Sequence, residues 1–388
     1  MEVVIVAARR TPMGSFMGAL SALSAPELGA AVVRALLEQC GLRADAVDEL
    51  YAGNVLSAGL GQAPARQMAL LGGLAESVPC TTINKVCGSG MKSVMVAADQ
   101  IRLGESRIAL AGGMESMSRA PYLIDKARSG LRMGHQSLLD HLFLDGLQDA
   151  YEGHLMGHYA QRVADEQNMG RAEMDEYAIA SLTRARQAIE EGAFASEWVR
   201  VTDDKGVTLL EVDEQPGKAK PEKIPHLKPA FGAGGTITAA NASSISDGAA
   251  GLLLMSRDEA KRRGLPVLAK ICGYCTHAAA PAAFTTAPIG AMARLLEQLG
   301  WRSHDVDLFE INEAFAMVPM LAMKAMDLTH DRVNVHGGAC ALGHPLGASG
   351  ARILVTLIHA LHRRGARRGV ASLCIGGGEA TALAVELL

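Results

Sequence analysis

Aromatic residues are scarce in this chain of 388 residues, with Phe, Trp and Tyr together supplying 4%. Charge is also thin at 20%, against roughly a quarter in typical soluble proteins. The 37 Lys and Arg nearly balance 41 Asp and Glu, for a net charge of −4. That balance argues against a nucleic-acid surface, which calls for strongly basic domains. No apolar run approaches the ~18 residues of a membrane span. Met1-Glu2 leads straight into VVIVAA with Arg9 and Arg10 behind it, the wrong charge order for a secretory signal. Cysteine stops at seven, and an odd count excludes a complete disulfide framework. These absences together lead to the expectation of a cytoplasmic chain in a reducing compartment, with no membrane and no nucleic-acid partner.

What the sequence has in plenty is glycine, 42 residues, and an apolar fraction of 49%. It also repeats itself. Leu36-Leu37-Glu38-Gln39 recurs as Leu295-Leu296-Glu297-Gln298, and at the same offset Gly41 meets Gly300, Val47 meets Val306 and Asp48 meets Asp307. Gly88-Ser89-Gly90 faces Ala348-Ser349-Gly350 one residue out of register, each ahead of an apolar helical pattern. Several matches in order at nearly one spacing point to a duplication. The continuous apolar run Val3-Val4-Ile5-Val6 predicts a strand buried on both faces. Residues 26–39 carry apolar positions at helical spacing after Pro26, which suits a first helical turn. Strands alternating with helices predict an α/β fold with mainly parallel sheets. The expected units are an N-terminal half over 1–116 with a return segment at 244–265, an inserted loop or lid domain over 117–243, and a C-terminal half over 266–388.

Four polar groups fall at expected strand ends or helix starts. Cys87 in NKVCGSGM precedes an amphipathic helix, where the macrodipole is expected to lower its pKa and favour the thiolate. His344, in HGGACALGHPLGASGARI, is extended by Pro345 and is of the type that accepts a proton from an activated cysteine. Cys374 ends an apolar strand and is followed by three glycines with free backbone donors. Asn312 follows the strand VDLFEI. Other signals are weaker. Cys272-Gly-Tyr-Cys275 mimics a redox pair but lies in a strand, where positions three apart face opposite sides. His154 and His158 lack the glutamate of a zinc-protease helix, which rejects a zinc site. Arg363-Arg364 and Arg367-Arg368 suit a solvated helix end, and the lysines at 218, 220, 223 and 228 suit either phosphates or a solvated loop.

With these positions assembled, the sequence closely resembles the thiolases, from VIVAARRTPMGSF to CIGGGEATALAVE; NKVCGSGM, GGMESMS, NEAFA and GGACALGHPLGASGARI are the specific stretches. The resemblance implies a thiolase-like duplicated fold, a five-layer αβαβα core with an inserted loop domain. It implies that Cys87 becomes acylated, with His344 taking its proton and Cys374 as second acid/base. It places one oxyanion hole at His344 and a water held by Asn312, and another at the N–H groups of Cys87 and Gly376. Coenzyme A would lie near Met156, Phe231, Ala239, Ser243, Ala314 and Phe315. The implied partners are acyl-CoA, acetyl-CoA and CoA, with no metal or other cofactor, in a homo-oligomer of two or four copies. Three positions depart from the commonest pattern: Leu155 where short-chain members often have His, His336 for the Asn of NGGA, and Glu379 for Gly or Gln. Leu155 leaves room for longer or branched acyl chains. A decarboxylating ketosynthase would pair the cysteine with two histidines, and a non-catalytic acyl-CoA binder would lack a catalytic residue.

Overall fold

The computed structural model describes residues 1–388. The predicted first strand is β1, Val3–Arg10, and the predicted first helix is α1, Ala25–Cys40. A capping box starts α1: Glu27 accepts from the Ser24 N–H at 2.7 Å, and Pro26 fills the first turn. The rest of the first half is β2 (Glu49–Gly53), α2 (Pro64–Leu71), β3 (Cys80–Ile83), α3 (Ser89–Leu103) and β4 (Ile108–Ser116). The stretch from 117 to 245 carries two longer helices, α4 (Met156–Glu166) and α5 (Arg171–Glu190), among short turns. The chain then returns as β5 (Ser246–Ser256). The second half contains β6 (Ala269–Ala278), α6 (Ala287–Leu299), β7 (Leu308–Ile311) and α7 (Met317–Met326). It ends with α8 (Leu346–Arg364), β8 (Arg368–Ile375) and β9 (Glu379–Glu386).

The strands lie in the order β7-β8-β9-β6-β1-β5-β4-β2-β3. They form two half-sheets that meet only where Val4 and Ile5 of β1 face Lys270 and Ala269 of β6. Contrary to the expected parallel arrangement, the sheet is mixed. Only β2–β3, β2–β4 and β7–β8 run parallel. The reason lies in the connections. β8 and β9 are joined by the three glycines 376–378, a link short enough only for a hairpin. β5, coming back from the insertion, enters antiparallel between β1 and β4.

The side chains on alternate strand positions sort into layers. Ile5, Ala111, Leu252, Leu373 and Leu383 join α3 and α8 in one central cluster. Val6, Leu110 and Leu253, on the opposite face, pack with α1 and α2. Phe309, Val370 and Ala382 pack with α6 and α7. The result is helix, sheet, helix, sheet, helix. The middle layer is α3 and α8, and α8 is buried nearly all round from Leu346 to Leu361, as expected of a helix sandwiched between sheets. Where these two helices meet there is no room for side chains. A Cβ on Gly350 would lie 2.4 Å from the Met91 nitrogen, and one on Gly113 of β4 would lie 1.9 Å from the Gly347 carbonyl oxygen. The glycines bring backbone directly against backbone at the N-terminal turns of α3 and α8.

One local expectation fails. β6 has a bulge between Ile271 and Gly273, which shifts its side-chain alternation. Cys272 and Cys275 therefore both pack against the outer cluster of the second half, instead of facing opposite sides. All seven cysteines are free.

Candidate active site

Cys87 sits two residues before the start of α3, on a turn bound to itself. Asn84 Oδ1 accepts from the Val86 N–H at 3.0 Å. Ser89 accepts from the Lys85 N–H at 2.8 Å and donates to the Val86 carbonyl at 2.6 Å. These bonds hold Val86 at φ 45°, the left-handed region, which a β-branched residue rarely enters. The strained residue aims the next one, Cys87, into a cavity of about 600 Å³. The thiol differs from the sequence expectation. Burial pushes it up to about 11, outweighing the N–H groups of Gly376 and Cys87 itself, which pull it down. The helix end therefore meets a resting thiol, and a base must take its proton.

The base on the cavity wall is His344. Its Nδ1 lies 2.6 Å from Ser349 Oγ, and Ser349 donates its only hydroxyl proton to the Pro345 carbonyl at 2.8 Å. The Ser349 oxygen can thus only accept from the ring, so Nδ1 carries the hydrogen and Nε2 keeps its lone pair. Nε2 is buried without a protein partner. Burial, with Arg352 adding to it, lowers the imidazole to about 3. The ring is therefore neutral and able to accept a proton. Asn312 is 1% exposed and does not line the cavity; its Nδ2 is 3.4 Å from His344 Nδ1, behind the ring. Its amide is oriented by Arg352, which reaches Asn312 Oδ1 at 3.5 Å and pairs with Glu310 at 3.0 Å. Burial pushes Glu310 up to about 8 despite that pairing.

Cys374, at the end of β8, and Gly376 complete the same wall. Burial and the neighbouring Cys87 thiol push the Cys374 thiol well up. The departure at Glu379 has a local explanation: its carboxylate pairs with Lys85, tying the Cys87 turn to the β8–β9 hairpin. A second carboxylate, Glu115 at the end of β4, accepts from the N–H groups of Val55, Leu56 and Gly347 at 3.0, 3.2 and 2.9 Å. Burial still lifts it to about 7. It fastens the first turn of α8, next to His344, to the first half.

The rest of the cavity is mainly apolar, with Ser15, Gln215, Thr238 and Ser244 as polar exceptions, and Met156, Phe231, Ala239, Ser243, Ala314 and Phe315 all line it. Phe231 and Phe315 meet edge to face at 6.4 Å, and Phe231 covers Gly157, where a Cβ would lie 2.2 Å from its ring. The return segment docks on the strand end through Ser243 N–H to the Ala314 carbonyl and Ala316 N–H to the Asn241 carbonyl, at 3.0 and 2.7 Å. Leu155 lines the cavity beside Met156, whereas His336 lies elsewhere. Sequence reasoning missed Ser349, Glu115 and Arg352. Arg352 did leave a signal, a lone charge in the apolar run from Leu346 to Leu361. The assembled groups suit acyl transfer: a nucleophilic thiol with a neutral base, a second thiol for proton traffic, and two backbone donors at the nucleophile.

Comparison with known proteins agrees with that chemistry. A model of the thiolase N-terminal domain matches residues 3–258, and one of the thiolase C-terminal domain matches residues 265–387. An acetyl-CoA acetyltransferase of Pseudomonas aeruginosa is 50% identical over 386 residues, covering 98% of each chain. A probable acetyl-CoA acetyltransferase of Escherichia coli is 48% identical, covering 99% of each. The crystal structure of an Ascaris suum thiolase in complex with coenzyme A superposes with a TM-score of 0.95 at 44% identity, over the full length of both chains.

Proposed function

The chain belongs to the thiolase family, and from that premise we propose how its own residues carry the reaction, the reversible cleavage of 3-ketoacyl-CoA by CoA to acyl-CoA and acetyl-CoA. In this reading Cys87 Sγ attacks the ketone carbonyl of the 3-ketoacyl group while its proton passes to His344 Nε2. With the thiol at about 11, only about one molecule in ten thousand is thiolate at pH 7, so proton transfer accompanies attack. The bond between that carbonyl carbon and the α-carbon then breaks. Cys374 protonates the departing acetyl-CoA enolate; the thiol of CoA then gives its proton to the Cys374 thiolate and takes the acyl group, and His344 returns its proton to the released Cys87 sulfur. Run backwards, Cys374 removes the α-proton of acetyl-CoA and the same steps condense two acetyl groups. The N–H groups of Cys87 and Gly376 stabilise the oxyanion on the acyl side. His344, once protonated, stabilises the one on the thioester side, with Asn312 behind its ring instead of on the cavity wall. Such aimed donors are worth several kcal/mol each.

The observation that carries the assignment is the meeting of Cys87, His344, Cys374 and the Gly376 amide on one cavity wall. Met156, Phe231, Ala239, Ala314 and Phe315 supply an apolar seat for the pantetheine arm, with the Ser243 hydroxyl at its side. In this reading residues 117–243 act as the loop domain over that seat, with 1–116 plus 244–265 and 266–388 as the duplicated halves. We carry over from the resemblance an assembly of two or four copies, which light scattering would test, and no bound cofactor. No helix is long and apolar enough to cross a membrane.

Incubation with acetyl-CoA followed by intact mass measurement should show one acetyl adduct, absent in Cys87→Ser. A second adduct site, or an adduct surviving in Cys87→Ser, would refute the assignment. Cys374→Ala should still acylate but neither condense nor cleave; full turnover by that variant would remove Cys374 from the mechanism.

A further inference from the structure

A second cavity of about 230 Å³ lies away from Cys87, and its chemistry is the opposite of the first. Its walls are polar and cationic. Arg184 comes from α5, Arg363 and Arg364 from the last turn of α8, and His336 from the extended segment that leads towards His344. The single carboxylate on the wall, Glu191, is already occupied: it accepts from Gln187 at 2.8 Å and pairs with Arg363 at 3.3 Å. Arg184 and Arg364 have no carboxylate partner. Each donates only to backbone carbonyls, Arg184 to those of Val333 and Asn334 at 2.8 and 3.3 Å, and Arg364 to that of Asp331 at 3.1 Å. Two guanidinium groups with no carboxylate in ion-pair contact thus line a small concave space, although Glu313 and Asp331 act on Arg184, and Asp331 on Arg364, from further off.

His336 gives an independent observation. It is only 8% exposed, stands edge-on to Phe194 at 5.7 Å, and its Nδ1 is buried with no hydrogen-bond partner. The Nδ1 edge is shut away in the protein, and Nε2, which bonds to no protein group and is not closed off, is the ring atom left open on the cavity side. Burial lowers the imidazole, so the ring is neutral at pH 7 and keeps one N–H as a donor. Arginines at a helix C-terminus are expected on electrostatic grounds alone. That expectation does not account for a third arginine from another helix, or for an imidazole without a hydrogen-bond partner lining the same cavity.

The geometry points to a binding site for a small phosphorylated anion in this cavity, held by the forks of Arg184 and Arg364 and by the His336 ring. Guanidinium forks match phosphate oxygens two at a time, and pairs with a doubly charged anion are stronger than with a single charge.

Calorimetric titration with inorganic phosphate, at constant ionic strength and with the chain saturated in coenzyme A, tests this. Saturation occupies the first cavity, so any remaining phosphate site is elsewhere. Wild type should show one saturable site. Arg364→Gln should weaken it about tenfold, the scale of one lost charge-assisted hydrogen bond. Glu191→Gln should tighten it, because the competing carboxylate disappears and Arg363 is released. These side chains are exposed, so both variants should fold and keep their thiolysis activity. Heat no greater than that of a chloride blank overturns the site, as does equal affinity in the three proteins. Tighter binding of succinate than of phosphate overturns the ligand class.

Discussion

The turn before α3 and the turn before α8 solve one problem with different residues. Each places a left-handed residue immediately ahead of its reactive side chain: Val86 at φ 45° before Cys87, and Gly343 at φ 107° before His344. Each then uses a serine from the first turn of the helix. Ser89 binds backbone on both sides, from Lys85 and to Val86. Ser349 binds one backbone carbonyl and the reactive ring itself. In the proposed mechanism Cys87 changes its covalent partner during turnover, and its sulfur is approached only by the main-chain N–H groups of Gly376 and Cys87 itself. The proposed base, His344, must keep one tautomer, and its side chain is held directly. The left-handed residues differ for steric reasons. A Cβ on Gly343 would lie 2.1 Å from Ser246 Oγ, whereas Val86 has space and bears the strain, on the order of 1–3 kcal/mol.

The sharpest way to break this comparison is at the base. His344→Asn should lower kcat by about a thousandfold, within the usual range for a lost general base; steady-state thiolysis of acetoacetyl-CoA measures it. The two serines should then separate. Ser349→Ala should cost roughly ten- to a hundredfold in kcat with KM little changed, and Ser349→Thr should restore most of it. Ser89→Ala should instead destabilise the fold by about 1–3 kcal/mol in urea, because a buried backbone donor and acceptor lose their partner. Equal kinetic and stability effects from both would erase the distinction.

The protonation states supply a third test. The Cys87 thiol is raised to about 11 and His344 is lowered to about 3, so at neutral pH both are uncharged. Alkylation of Cys87 by iodoacetamide should therefore rise with pH, close to tenfold per unit from pH 7 to 10, with no plateau near 6. A plateau there would mean a resting thiolate–imidazolium pair. For His344 the folded value lies below the unfolded one of about 6.5, so its contribution to stability is complete above that pH. That contribution is lost as pH falls towards about 3, and urea midpoints should decline across that window. The smallest effect is expected from Val86→Gly. Relief of the left-handed valine should raise stability by up to about 1 kcal/mol, while kcat drops a few-fold as the turn loosens.

Much of this arrangement was legible in the residues. The repeat at 36–39 and 295–298, the strand-end positions of Cys87, Asn312 and Cys374, and the Gly-rich turn at His344 all follow from local pattern. What was not legible depends on long-range burial or connection. The thiol of Cys87 looked activated because a helix start is visible in sequence, whereas the desolvation that overrides it comes from a cavity built by distant segments. The mixed sheet was hidden because β5 enters from across the insertion. Arg352 was visible as an oddity, but its partner Glu310 is 42 residues away on another strand. Ser349 was noticed only as half of a repeat; its role needed the ring of His344 beside it.

The glycine contact between α3 and α8 has a consequence for how activity is acquired. Cys87 stands on one half of the chain and His344 and Cys374 on the other, and main-chain atoms at Gly350, Met91, Gly113 and Gly347 set their separation. The two half-sheets share only the pairs at Val4 and Ile5. A half that has folded alone therefore holds the proposed nucleophile without the proposed base, or the reverse, and on that mechanism no partial catalyst exists on the way. Recovery of thiolysis during refolding times the closing of that seam, separately from the secondary structure that precedes it. Because main chain meets main chain there, a side chain added at Gly350, Gly113 or Gly347 has no repacking open to it, and the seam can be lost in one step but not traded.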